Sequence, residues 1–141
     1  MDLKNINLSK IFTWTVVILL TGMFLMAGSG KLMSGQMYLD NFARWGLPLW
    51  FLAVTGIVEV AGALLILIPR LRFYGAVLLE GTMVGALLIH IVFAEYGALI
   101  MPLVLLTFAS YLAVISRPQW LIRLYCHLPL LNRRQECSLA H

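Results

Sequence analysis

Four stretches of the chain stay apolar on every side of a helix, and most of the polar residues gather in the breaks between them. The first stretch runs from Ile11 to about Gly30 and carries no charge. The second, from about Leu49 to Pro69, contains Glu59. The third, from about Phe73 to Phe93, holds Glu80 and His90, and the fourth, from about Ala98 to Ser116, is uncharged. Each has about the 20 apolar residues a helix needs to cross a bilayer. Gly46, Pro48, Pro69 and Gly97 stand at the breaks, where turn residues belong. Within the longest break, Met37, Tyr38, Phe42 and Trp45 recur at roughly helical spacing, with Asp40, Asn41 and Arg44 between them. That pattern predicts a short interfacial helix in the first external loop, closed by Gly46-Leu47-Pro48. After Ser116, Trp120, Leu121, Leu124, Tyr125 and Leu128 alternate with Arg117, Arg123 and His127, so residues 117–141 read as an amphipathic cytoplasmic tail. The fold class expected is an all-α membrane protein: one four-helix transmembrane bundle over residues 1–141.

Composition agrees with this pattern. Hydrophobic residues make up 62% of the chain and charged ones 11%, against roughly 45–50% and about 25% in soluble domains. A water-soluble globule and a nucleic-acid-binding module are thereby excluded. The net charge of +4 is explained by topology: with the N-terminus inside, eight of the ten Lys and Arg residues fall on the cytoplasmic face and only Lys31 and Arg44 outside. The expectation is an N-in/C-in protein of the bacterial inner membrane, with the lipid bilayer and no nucleic acid as its surroundings. The alternative of a signal peptide cut near Ala27-Gly28-Ser29 fits less well, because the apolar run is longer than a usual h-region. Cys126 and Cys137 fall in the tail, and no C-x-x-C or metal-ligand spacing occurs.

In lipid, helices associate through close packing of small residues and through polar contacts. Gly81-x-x-x-Gly85, Gly56, Gly62 and Ala27-Gly28-Ser29-Gly30 supply the small residues. They read as contacts inside one bundle, with a homodimer as the alternative. Glu59, Glu80 and His90 are ionisable groups inside spans, each costing roughly 2.5–3.5 kcal/mol on insertion scales, which makes each a candidate for function. Glu59 lies near the midplane, between Gly56 and Gly62 on one helical face. Glu80, Met83, Leu87 and His90 follow a 3-4-3 spacing, and Thr107, Ser110 and Tyr111 share a side of the fourth helix. These residues are expected to line one polar cavity, with Lys31 as a charge partner for Glu59. In it Glu59, Glu80 and His90 would handle protons, as a quinone site or a proton-coupled carrier requires. A purely structural role, with the carboxyls hydrogen-bonded across the bundle, is the competing expectation.

The sequence also resembles the DoxX family of small four-helix membrane proteins. The resemblance rests on Ala27-Gly28-x-x-Lys31, Phe42 with Gly46-Leu47-Pro48, Gly56-x-x-Glu59-x-x-Gly62, Leu65 to Pro69-Arg70, Gly75-Ala76 and Met83-x-Gly85-Ala86-x-x-x-His90. It implies redox association, since the family takes its name from a subunit of a thiosulfate:quinone oxidoreductase. A quinone-type ligand and a protein partner in a membrane redox complex follow as expectations. Lys31, Glu59 and His90 match recurrent polar positions of the family, whereas Glu80 has no clear counterpart. Members with a cysteine pair differ from this chain, and a distant animal branch acts in receptor assembly. A non-enzymatic assembly or anchoring factor is therefore the alternative function, and a proton-coupled transporter a third.

Overall fold

The computed structural model describes residues 8–118, so the expected amphipathic tail beyond Pro118 lies outside the described residues. The described chain is helical: α1 Leu8–Leu32, α2 Gln36–Arg44, α3 Leu49–Leu67, α4 Arg72–Val92 and α5 Ile100–Ile115, with a 3-10 turn at Tyr96–Ala98 before α5. Four helical segments, the last counted with its leading turn as Tyr96–Ile115, are long and apolar enough to cross a membrane. They coincide with the four apolar stretches, and the short α2 stands where the amphipathic spacing placed it. The spanning helices pack in chain order, α1 on α3, α3 on α4 and α4 on α5, and α5 returns to touch α1.

Two backbone-to-backbone crossings set this arrangement. A Cβ on Gly28 would lie 2.9 Å from the Gly56 carbonyl oxygen, so α1 and α3 approach as closely as only glycines allow. A Cβ on Gly75 would lie 2.8 Å from the Gly62 carbonyl oxygen and from the Ile66 nitrogen, which fixes the crossing of α3 and α4. Between these crossings Val17, Leu20, Phe24, Ile66, Leu79 and Leu112 form the buried core. Gly81 and Gly85 behave differently from the expected packing contacts. A Cβ on either would meet nothing within 4 Å, so neither is required by a neighbouring helix.

One turn geometry recurs at the end of the bundle that carries α2. Ser34, Gly46 and Ala94 all have positive φ, at 53°, 66° and 56°. In each case the next residue's N–H donates to the carbonyl five residues back: Gly35 to Gly30, Leu47 to Phe42 and Glu95 to His90. These are left-handed helix closures, which satisfy orphan carbonyls and reverse the chain sharply. The last of them is closed by Ala94, three residues before the glycine that marked this break in the sequence, and it returns Glu95 to the end of α4. At the opposite end of the bundle, Arg72 is buried. Its Nε donates to the Ile66 carbonyl at 3.0 Å, and its guanidinium lies 4.9 Å from the centre of the Trp14 ring.

Candidate functional site

The crossing at Gly28 and Gly56 determines which polar groups meet. Lys31 lies one turn beyond Gly28 towards α2, and Glu59 one turn beyond Gly56 in the opposite direction. Because Gly28 packs between Gly56 and Val60, their axial separation is about 6 Å, a gap that a lysine stem and a glutamate close together. Lys31 Nζ donates to Glu59 Oε1 at 2.5 Å. Glu59 is 2% exposed, and its Oε2 has no hydrogen-bond partner among the described residues. A buried carboxylate oxygen without a donor costs free energy and calls for an explanation, a catalytic role or a bound ligand, ion or water among them.

Beside this pair lies a cavity of about 550 Å³ between α3 and α4, with α2 across one end. Lys31, Tyr38, Asn41, Trp45, Glu59 and His90 supply its polar and aromatic wall. Val54, Val58, Val77, Leu78, Gly81 and Gly85 form its apolar wall. Val54, Val77 and Leu78 are each more than 40% exposed, so the cavity opens sideways between α3 and α4, where lipid tails surround the bundle. Its volume falls in the roughly 300–1,000 Å³ range of small-molecule sites.

Tyr38, Asn41 and Phe42 on one face of α2, with Trp45 at its C-terminal cap, follow at i, i+3, i+4 and i+7 and close the cavity. The Lys31 ammonium lies 5.7 Å from the centre of the Tyr38 ring. Burial, and secondarily the negative charge of Glu59, pushes the Tyr38 phenol above its usual range, which preserves its hydroxyl proton. Glu95 fastens α2 to α4. It accepts from Arg44 Nη2 at 2.9 Å and more weakly from Trp45 Nε1 at 3.5 Å, and it meets His90 Nδ1 at 2.8 Å. A carboxylate only accepts, so Nδ1 carries the hydrogen in this pair. The His90 hydrogen bond is the main cause that holds the Glu95 carboxyl below its usual range. Partial desolvation works against it, while Trp45 and Arg44 add to the lowering.

The expected site residues separate into two groups. Lys31, Glu59 and His90 line the cavity together. Glu80 does not line it: the residue is half-buried on the flank of α4 across the core-facing row of Leu79 and Met83. Ten residues of helix rotate through 1,000°, so Glu80 and His90 differ by about 80° around the axis despite the 3-4-3 spacing. Thr107, Ser110 and Tyr111 also lie elsewhere, because α5 contributes nothing to the cavity. Thr107 is exposed and donates to the Leu103 carbonyl, Ser110 is half-buried, and the Tyr111 hydroxyl lies 3.3 Å from that of Thr13. Sequence reasoning assigned Tyr38, Asn41 and Trp45 to an interfacial anchor and missed them as site residues. Their i, i+3, i+7 spacing was the signal that one side of α2 faces inward.

No group of three or more His, Cys, Asp or Glu residues able to hold a metal occurs among the described residues. Comparison with curated proteins and with solved structures gives no significant match in either. The model of the DoxX-like family matches residues 15–112, a range that includes every residue of the cavity wall, and the chain belongs to that family.

Proposed function

We propose that this DoxX-like membrane protein binds a quinone-type amphiphile in the α3–α4 cavity and handles protons for its redox chemistry. The observation that carries this reading is Glu59: a buried carboxylate with one unpartnered oxygen, in the wall of a cavity open to the lipid phase. An ordinary structural glutamate would have both oxygens satisfied, because unpaired polar groups are costly away from water. The lateral opening suits a ligand that partitions into lipid, and the apolar wall of Val54, Val77 and Leu78 suits its hydrocarbon part.

Quinone reduction takes up two electrons and two protons. In this reading the electrons come from a protein partner that oxidises a thiosulfate- or thiol-type donor. Glu59 stands where it can exchange a proton with a ring oxygen, Lys31 balances its charge, and Tyr38 offers a further hydroxyl. His90, paired with Glu95 at the α2 end, connects the cavity to the membrane surface. Glu80, lying off the cavity, has no part in this path. The protein sits in a bacterial inner membrane with both termini inside, as the Lys and Arg distribution favours, so the cavity end that carries α2 faces outwards. The assembly-factor reading has no comparable support, since it does not account for an unpartnered buried carboxylate beside a cavity.

Mass spectrometry of the intact protein in mild detergent tests this. A stoichiometric quinone-type molecule on the wild type, and none on Glu59→Gln, is the expected result. Bulk phospholipid alone on both proteins would favour the assembly-factor reading.

A further inference from the structure

The hydrogen-bonding atoms of the cavity also select which chemical form of the ring is held, an inference that rests on the amphiphile-binding reading. Lys31 donates to Glu59 Oε1, so the ion pair presents Oε2 as an acceptor in need of a donor. His90 Nδ1 is committed to Glu95, so Glu59 Oε2 is the acceptor the cavity wall offers. The contacts of Gly62 with Leu79, and of Gly75 with Gly62 and Ile66, fix the register of α3 and α4. In that register Glu59 stands level with about Gly81, and His90 lies roughly 13 Å further along α4.

Gly81 and Gly85 lie along the same stretch of α4. Each replaces a better helix former at a cost of about 0.8–1.0 kcal/mol relative to alanine, yet no neighbouring helix needs either glycine. Both line the cavity. Bare backbone there offers a flat floor for a planar ring, and a side chain would occupy the space.

We infer that the cavity is built for the reduced, dihydroxy form of an aromatic amphiphile, which donates a hydroxyl to Glu59 while its ring lies over Gly81 and Gly85. A quinone offers only acceptors to the Glu59 carboxylate and is held less tightly. Glu59 thereby acts as the specificity-determining group for the reduced form of the ligand.

The test uses the full chain in detergent micelles under anaerobic, reducing conditions, with a decyl-substituted hydroquinone and its dimethyl ether as probes. The corresponding quinone is measured separately without reductant. Loss of a hydrogen bond to a charged group predicts at least tenfold weaker binding of the ether and of the quinone than of the hydroquinone. Gly85→Leu, whose added Cβ meets nothing in the fold, should fold normally and lose all hydroquinone binding. Equal binding of the three probes, or tighter binding of the quinone, overturns the selectivity while leaving the amphiphile site in place. No binding of any probe overturns both readings. A change in oligomeric mass on Gly85→Leu would mean that a second copy of the chain fills the groove, and it too would overturn the inference.

Discussion

At the residue scale, Lys31 and Glu59 form a buried ion pair in the wall of the cavity. Breaking a buried ion pair leaves an uncompensated charge, at a cost of roughly 3–5 kcal/mol, whereas replacing both partners with apolar residues is often nearly neutral. Lys31→Met is therefore expected to lower the unfolding free energy by about that amount, and Lys31→Met with Glu59→Leu to regain most of it. Denaturant unfolding of the two variants in detergent decides this, and the double variant should still fail to retain ligand. Equal losses in both would show that the pair's charges are not coupled as the geometry implies. Glu59, Lys31 and His90 were legible in the sequence because an ionisable group inside a span stands out against apolar neighbours. Glu80 stood out for the same reason, yet its direction around α4 depended on a rotation of 100° per residue accumulated over ten residues. A spacing that matches over one turn drifts off the face over three. Glu95 carried no such signal, since it lies in a break, and only the turn at Ala94 returns it to His90.

Glycine does opposite things in different elements. At the α3–α4 crossing, Gly75→Ala places a Cβ 2.8 Å from the backbone of α3 and is expected to destabilise by about 1–3 kcal/mol. Gly81→Ala adds a Cβ in open space and is expected to gain up to about 1 kcal/mol from helix propensity. Unfolding curves of the two variants should move in opposite directions. The sequence offers the same residue type in both places, and whether a neighbour touches it is decided only by the register of two helices. The fastening of α2 has its own pH dependence. Because the folded-state pKa of Glu95 is depressed, its contribution is present above the ordinary glutamate range and is lost as pH falls through the lowered value. Amide exchange across Gln36–Arg44 should therefore speed up at a pH below that range. In Glu95→Gln the same segment should exchange fast already at neutral pH, with little further change on acidification.

For the molecule as a whole, the spans and α2 were readable because the bilayer demands long apolar helices and because amphipathic spacing is local. The cavity was not readable to the same extent. Its place between α3 and α4, rather than against α5, follows from the order in which the helices pack and from the two glycine crossings. Thr107, Ser110 and Tyr111 have the right chemistry on a helix that does not reach it. The proposed inside location of both termini can be checked with single cysteines introduced after Cys126 and Cys137 are replaced by serine. A membrane-impermeant maleimide should label Gln36→Cys in intact cells and Arg70→Cys only after permeabilisation.

The most direct test of the central claim is photocrosslinking with a diazirine-bearing quinone analogue in lipid nanodiscs, followed by peptide mapping of the labelled sites. Labels concentrated on Tyr38–Trp45 and on Val77–His90, and abolished by Gly85→Leu, are the expected result. Labels spread over the outward faces of α1 and α5, unchanged in that variant, would contradict an amphiphile site between α3 and α4.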